Sequence, residues 1–270
     1  MEVEIIIMEK EIMPDINNIK KQDTFTLPSR GLLYKPEDGI PEAITLRRMT
    51  TAEEKLRYRS DDNTEVTRDL LNACIVSQVP VDCGKLKLSD ANFLLFKLRV
   101  LSLLTDKYKV TVNCPHCGAQ FIHEVHLSDV PVDYLTDDIK DKLKITLPIS
   151  KQTIDLDVPN LNKLIKLGES LEEFFDRFPN VNKQEKLLTE TNLIYIDKVN
   201  GKTLLSEEKE DYINSMDIVD FKALRKAINK LSADYGLSQS LKTQCPKCKN
   251  EVTHGLPITY ELFNPSDEDI

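Results

Sequence analysis

Strand-like stretches punctuated by turn residues open the chain. Two of them are TFTLPSRGLLYKP at 24–36 and EAITLRRM at 42–49, and Gly31 and Pro36 are the turn signals in the first. The residues before them, 1–22, show no regular period of this kind. The pattern therefore predicts an irregular N-terminal arm followed by strands.

Helical patterns follow this opening. Thr50 and Glu53 have the spacing of a capping box, in which two side chains satisfy free N–H groups at a helix start, so a helix is predicted over 50–60. Residues 64–78 predict a second helix, and 90–105 a third, strongly amphipathic one. A turn and a short strand are predicted between them. Three to four turns of helix per element are enough to bury an aliphatic face.

Two further strand-like segments, YKVTVN at 108–113 and AQFIHEVHL at 119–127, flank the sequence CPHC. A strand on each side of a Cys-x-x-Cys turn predicts a hairpin with its cysteines at the tip. This hairpin closes the first half of the chain.

The second half of the chain repeats this order. Residues 144–159 contain Thr-Leu-Pro, as the first opening does. Helical patterns follow at 160–178 and 219–236, and residues 185–201 resemble the helix and turn at 64–84. A short strand at 239–244 then leads into CPKC. Since several independent features recur in one order, internal duplication is favoured over chance recurrence of helix–strand–turn patterns.

The predicted fold is therefore α+β and helix-dominated, with two related halves. We expect five segments along the chain: an N-terminal arm at 1–22, a first repeat at 23–130, a linker at 131–143, a second repeat at 144–258 and an acidic C-terminal tail at 259–270.

The two Cys-Pro-x-Cys turns are the most specific chemical signal. Thiolates two residues apart can reach one ion, and a structural zinc site is closed by four such ligands. One four-thiolate site shared by both halves is the simplest arrangement. Its ligands would be Cys114, Cys117, Cys245 and Cys248. We therefore expect one structural zinc ion per chain, which joins the halves through two zinc-ribbon-like knuckles.

Other arrangements of these cysteines stay open at this point. His123 and His254 each lie six residues after the second cysteine of a pair, so two separate three-ligand sites, a site between chains or no metal are alternatives. A redox role is disfavoured because strands, not helices, follow each pair. Cys74 and Cys83 are interpreted as a core thiol and a turn thiol.

Composition narrows the classes of function. The chain has 270 residues, 45 acidic against 36 basic, and a net charge of −9. An acidic surface repels phosphate backbones, which disfavours a zinc ribbon that binds nucleic acid. Apolar runs are too short for a membrane span, and the acidic N-terminus is unlike a secretory signal. We therefore expect a protein of the reducing cytoplasm, where paired cysteines favour metal over disulfides.

Catalytic motifs are absent from the sequence: there is no GxSxG, P-loop or GxGxxG. The carboxylates are scattered through helices, so we expect no enzyme activity.

Arg30 and Tyr34 lie in the distinctive LPSRGLLY stretch and are candidate partner-binding residues. The alternative is that this stretch is a plain structural turn. Phe174, Phe175 and Phe178 are interpreted as core residues in preference to a partner site.

Several of these motifs together resemble a known family. FTLPSRGLLY at 25–34, ITLRRMTTAEEKL at 44–56, the pair Leu98-Arg99 and CPHC at 114–117 are similar to the T4-type baseplate hub assembly chaperones of contractile-tailed phages, also known as T4 baseplate proteins. The resemblance is clearest over about 25–130.

This resemblance implies a role in building the central hub of the tail baseplate. The implied partners are baseplate hub or tape-measure proteins, with no catalytic residues to carry over. Two forms of the role are compatible with it. The chain would be a transient chaperone in the host cytoplasm, or a permanent structural part of the virion baseplate.

Overall fold

A computed structural model describes residues 21–263, except 78, 79, 239, 257 and 259, and it has a mixed α/β fold. Its α-helices are α1 (Thr51–Glu54), α2 (Asn63–Cys74), α3 (Leu88–Leu103), α4 (Ile139–Lys142), α5 (Leu161–Arg177), α6 (Lys183–Leu193), α7 (Ser206–Asn214) and α8 (Ile218–Ala233). Its strands are β1 (Gln22–Thr26), β2 (Ala43–Arg47), β3 (Ile75–Val76), β4 (Lys107–Asn113), β5 (Gln120–His126), β6 (Val132–Asp133), β7 (Lys144–Thr146), β8 (Thr153–Leu156), β9 (Ile196–Val199), β10 (Gly236–Leu237), β11 (Leu241–Gln244) and β12 (Glu251–His254).

Two small antiparallel sheets have the same strand order. In each, a hairpin comes first and a third strand, reached through helices, pairs with the second strand of the hairpin, giving β1-β2-β3 and β7-β8-β9. Burial alternates along β2 and β8, so one face of each sheet packs on a core. The two halves differ in the helices that follow the third strand. In the first half α3 follows β3, whereas in the second half α7 and then α8 follow β9.

A buried aspartate anchors the turn that follows the first strand of each sheet. Asp90 of α3 accepts a hydrogen bond from the backbone N–H of Ser29 at 2.9 Å. Asp220 of α8 accepts from the backbone N–H of Ile149 at 2.7 Å and of Ser150 at 2.9 Å. Both aspartates lie in the first turn of their helices, where the helix dipole favours a carboxylate. Each turn is thereby fixed to its helix.

The two carboxylates differ in their remaining partners. The second oxygen of Asp90 accepts from the Tyr34 hydroxyl at 2.6 Å, and burial raises the pKa of Asp90 despite its hydrogen bonds. Burial acts in the same direction on Asp220, but the backbone N–H groups of Ile149 and Ser150 outweigh it, so the pKa of Asp220 is lowered. Backbone donors therefore favour the ionised form at both anchors, but they outweigh burial only at Asp220.

The core consists of two hydrophobic clusters that share elements from both halves. The first contains α2, α3 and the β4–β5 hairpin, and it also contains Cys245 and Val252 of the β11–β12 hairpin. The second contains β7, β8, β9 and α8, and Leu32 and Leu33 pack against it. Lys87 joins the two regions by a 2.8 Å ion pair with Asp157. Each cluster is therefore completed by residues from the other half of the chain.

The last described residues are part of the first cluster. Leu262 and Phe263 lie in a 3₁₀ helix, Tyr260–Phe263, and are fully buried. Two buried arginines hold this segment by its carbonyl groups: Arg99 donates to the carbonyl of Leu262, and Arg57 donates to that of Phe263 at 3.3 Å. The predicted acidic tail thus begins with packed residues, and 264–270 lie outside the described residues.

Most of the predicted elements are present, with shifted ends. The capping box is confirmed, because Glu53 accepts from the N–H of Thr50 at 2.7 Å, but α1 ends at Glu54 and a 3₁₀ helix continues it. The helix predicted to reach residue 78 ends at Cys74, since Ile75 and Val76 pair with β2. The helix α7 was not predicted.

The segment predicted as a linker, 131–143, contains β6 and α4 and buries Leu135 and Ile139 in the second cluster. It is therefore anchored to the core at these positions, and the division of the chain into domains stays a prediction. Of the predicted N-terminal arm, residues 1–20 lie outside the described residues. No helix in the described part of the chain is long and apolar enough to cross a bilayer.

The difference between the two aspartate anchors yields a paired prediction. We expect Asp220→Asn to lower the free energy of unfolding by about 2–3 kcal/mol, because the amide N–H₂ would face the N–H of Ser150 and leave donors unsatisfied. Asp90→Asn should cost less, about 1–2 kcal/mol, since Tyr34 Oη can accept from the new amide beside the Lys87 N–H and only the tyrosine's own O–H loses its acceptor. Urea unfolding of both variants measures the difference; equal losses would contradict the assignment of donors.

Candidate metal centre

Two β-hairpins carry the paired cysteines at their tips. In the first, β4 and β5 end at the pair Asn113↔Gln120, and in the second β11 and β12 end at Gln244↔Glu251. Each turn between these pairs is six residues long and starts with a cysteine. The strands flanking the cysteines, predicted from sequence, therefore place both turns on rigid hairpins.

The two turns have the same backbone hydrogen bonds. The N–H of Cys114 donates to the carbonyl of Ala119 at 2.8 Å, and that of Cys245 donates to Asn250 at 3.0 Å. The fifth residue of each turn donates back to the first cysteine's carbonyl at 2.9 Å and has a positive φ, 68° at Gly118 and 62° at Lys249. The same backbone shape is thus built with glycine in one turn and lysine in the other.

The four sulfurs converge in one place. Cys114 Sγ lies 3.6 Å from Cys248 Sγ, Cys117 Sγ lies 3.8 Å from Cys245 Sγ, and all four lie within 4.8 Å of one another. Each short contact joins the first cysteine of one pair to the second cysteine of the other. Exchanging the two hairpins would therefore give the same pattern of sulfur contacts, as a twofold axis does.

These distances fit one tetrahedral ion. Four sulfurs bound at about 2.3 Å in tetrahedral geometry lie about 3.8 Å from one another. The observed cross-hairpin contacts of 3.6 and 3.8 Å match that edge, and all six cysteines of the chain are free of disulfides. The donor set is therefore that of a closed structural metal site, whose four ligands would be Cys114, Cys117, Cys245 and Cys248.

Electrostatics also favour a cation among the sulfurs. The backbone N–H groups of Cys248 and Lys247 point at Cys245 and lower the pKa of its thiol to about 6. At Cys117 the N–H of Ala119 acts in the same direction, but burial and the neighbouring sulfurs outweigh it and raise the pKa to about 11. Thiolates this close repel one another unless a cation lies between them.

His123 and His254, the ligands of the alternative two-site arrangement, contact each other. His123 Nδ1 lies 2.8 Å from His254 Nε2, with the rings nearly perpendicular, and neither belongs to the sulfur cluster. His254 Nδ1 also lies 3.0 Å from the Gly255 carbonyl, so this nitrogen donates and its Nε2 accepts from His123. The histidines therefore form a second contact between equivalent positions of the two hairpins, which sequence spacing did not reveal.

Cys74 and Cys83 lie apart from the sulfur cluster, inside the first core. Burial raises the pKa of each thiol to about 12. Both are therefore protonated thiols that pack as small apolar side chains.

The model of the T4 bacteriophage base plate protein family matches residues 22–263. The chain belongs to this family. No curated protein and no solved structure gives a significant match. Family membership confirms the resemblance, and it connects the chain with phage baseplates and with other baseplate proteins as partners.

Arg30 and Tyr34 occupy different surroundings in this baseplate protein. Arg30 is exposed in a left-handed backbone conformation with φ of 51°, and its guanidinium lies 3.4 Å from the carbonyl of Leu135. Tyr34 is half-buried, and its hydroxyl is already bonded to Asp90 and to the N–H of Lys87. The guanidinium is accessible, whereas Tyr34 offers only part of its ring; a partner-binding role of both stays a prediction.

The core interpretation of the three phenylalanines is wrong. Phe174, Phe175 and Phe178 belong to neither hydrophobic cluster, and Phe178 is 45% exposed. They lie at the end of α5, where the chain turns into α6. The helical period alone gave no signal that this end of α5 extends beyond the core.

The metal centre yields a direct prediction. We expect one zinc ion per chain, and Cys245→Ser should lose both the ion and solubility, because a buried ligand at the shared site is removed. Elemental analysis of the purified baseplate protein measures the stoichiometry. Cys74→Ala is the matched control, a buried cysteine outside the cluster, and should keep one ion. Two ions per chain, or full occupancy in Cys245→Ser, would contradict the shared site.

The two turn positions with positive φ yield a second prediction. Gly118→Ala should cost about 1–2 kcal/mol of unfolding free energy, because the left-handed conformation strains any residue with a Cβ. The new methyl would meet no atom within 4 Å, so crowding contributes nothing. Lys249→Gly should change stability by less than about 0.5 kcal/mol, since relief of strain is offset by unfolded-chain entropy. Urea unfolding with zinc present compares them; an equal loss in both would contradict the backbone explanation.

Proposed function

We propose that this protein is a non-catalytic assembly factor for the baseplate hub of a contractile-tailed phage. It acts by binding hub or tape-measure proteins in the host cytoplasm before they assemble. Membership of the baseplate family over residues 22–263 is the observation that carries this proposal. The alternative within the same family is a permanent structural component of the virion baseplate.

The metal at the four-cysteine site is proposed to be zinc, with a structural role. Cys114, Cys117, Cys245 and Cys248 would hold it, and all four ligand positions would be occupied by protein. Zinc in such sites contributes apparent binding energies of about 10–16 kcal/mol to folding. X-ray absorption that reports four sulfur ligands supports this role. A spectrum with an imidazole ligand would instead favour a site that includes His123 or His254.

We also propose that the two halves arose by internal duplication. Three independent pairs of features support it: the two sheets of equal strand order, the aspartate anchors Asp90 and Asp220, and the two cysteine turns of identical hydrogen bonding. On this proposal the metal centre and the His123–His254 contact lie where the two copies meet. A structure-based superposition of 22–126 on 144–254 tests it, and differing strand connections would contradict it.

The assembly role is tested by protein mass spectrometry on two samples from one infection. One sample is purified finished phage particles, and the other is material that copurifies with a tagged copy of this chain. Copurified hub or tape-measure proteins, with the chain absent from particles, support the transient assembly factor. The chain in particles at a fixed stoichiometry supports the structural alternative. Absence of the chain from particles together with no copurified baseplate protein would overturn both.

A further inference from the structure

The turn that follows the first strand of each sheet is buried in the first half of the chain but exposed in the second. Both turns begin with Thr-Leu-Pro, and both are anchored by an aspartate at the third position of a helix. Pro28 and Ser29 are buried, whereas their counterparts Pro148 and Ile149 are exposed. The anchor contacts are alike, so the difference lies in what covers each turn.

A short ribbon of two paired strands, β6 and β10, covers the first turn. Just after β6, the backbone N–H of Leu135 donates to the carbonyl of Pro28 at 2.9 Å. At the start of α3, Ser89 packs so closely on β10 that a Cβ at Gly236 would lie only 3.0 Å from that of Ser89. The ribbon therefore contacts both the turn and the first residues of the helix that anchors it.

The second turn has no such cover among the residues that the structure describes. Ile149 in this turn is 57% exposed. Ile218 and Val219 start α8 at the positions that Leu88 and Ser89 occupy in α3, and they are 61% and 48% exposed. Single exposed apolar residues are ordinary, but a group of them is a mark of an interaction surface. We call Ile149, Ile218 and Val219 the open turn surface.

The buried carboxylate of Asp220 brings the two parts of the open turn surface together. Asp220 directly follows Val219, and it accepts from the backbone N–H of Ile149 at 2.7 Å. The carbonyl of Pro148, next in the chain, accepts no backbone hydrogen bond within the described ranges, whereas that of Pro28 accepts from the ribbon. The second half therefore presents apolar side chains beside an available acceptor at the place where the first half is closed.

We propose that the open turn surface docks an extended apolar segment of a partner protein. One backbone N–H of this segment would donate to the Pro148 carbonyl, as that of Leu135 does to Pro28, and its side chains would cover the three exposed apolar residues. The proposal rests on the proposed function, of which it names the binding surface and the kind of partner segment. Main-chain hydrogen bonds supply affinity in such extended binding, and side-chain contacts supply specificity.

The contacts of the ribbon argue against a second copy of this chain as the occupant. In every copy, β6 and Leu135 already cover that copy's own first turn. The ends of the chain are also poorly suited, because 1–20 carry five acidic and two basic side chains and 264–270 carry three acidic and no basic ones. Burial of charged groups on an apolar surface is costly. A segment of a different protein therefore fits the open turn surface best.

The covering segment of the first half supplies a defined probe. Fluorescence anisotropy would measure binding of a labelled peptide with the sequence of residues 130–137, VPVDYLTD, to the full chain. A control peptide carries an N-methyl group on its leucine, which removes the N–H that would donate to Pro148. We expect saturable binding of the first peptide and about 10-fold weaker binding of the second. Equal binding of the two, or no binding at millimolar concentration, would overturn the docking chemistry.

Paired variants locate the probe on the chain. Ile149→Ser with Val219→Ser should weaken peptide binding at least about 10-fold, because two of the three apolar side chains are lost. Ile122→Ser with Leu205→Ser, which alters exposed apolar residues elsewhere, should leave binding unchanged. Unchanged binding in the first variant, with its thermal transition intact, would overturn the location. Tighter binding after deletion of 1–20 would make the chain's own N-terminal segment the occupant and overturn the assignment to a partner.

Photocrosslinking separates failure of this inference from failure of the proposed function. A benzophenone amino acid would replace Ile149 in one tagged copy and Ile122 in another, and mass spectrometry would identify the products from infected cells. A crosslink from position 149 to a baseplate protein, absent from position 122, supports the inference. Copurified baseplate proteins without a crosslink from 149, or crosslinks only to a second copy of the chain, overturn the inference and leave the proposed function standing. No copurified baseplate protein overturns both.

Discussion

Mutual repulsion among four closely placed sulfurs is the constraint on which the joining of the two hairpins depends. Cys114 and Cys117 come from one half of the chain, Cys245 and Cys248 from the other, and their sulfurs lie within 4.8 Å. Backbone N–H groups already favour a thiolate at Cys245. A tetrahedral cation bound there would turn the repulsion into attraction and fix the tips of both hairpins at once, while the His123–His254 contact joins their strands.

The hairpins in turn organise the core around them. Val110, Val112 and Val125 of the first hairpin share one hydrophobic cluster with Val252 of the second. The aspartate anchors act at another point of each half, where they fix the turn after the first strand to the first turn of α3 or α8. The cysteine turn, the hairpin and the aspartate anchor therefore constrain each half at separate points, which suits a chain of modest aromatic content.

The sequence allowed the cysteine site to be predicted because Cys-Pro-x-Cys between strands is a local pattern with a specific chemical meaning. The capping box at Thr50 and the long helices could be predicted for the same reason. Strand β3 could not be predicted, since Ile75 and Val76 continue a helical pattern and only their pairing with β2 separates them from α2. Exposure of Phe178 was equally hidden, because an apolar helix face looks the same whether it packs on a core or extends past it.

The sharing of residues between the two cores has a consequence for synthesis on the ribosome. The first core is lined mainly by residues 27–130, yet it is closed by Cys245, Val252, Leu262 and Phe263. Domains usually fold as their chain emerges, N-terminal part first. Here most of the first core emerges more than a hundred residues before the segment that closes it. The first core is therefore completed only after Phe263 has been synthesised, and the nascent chain has to keep its apolar surface open until then.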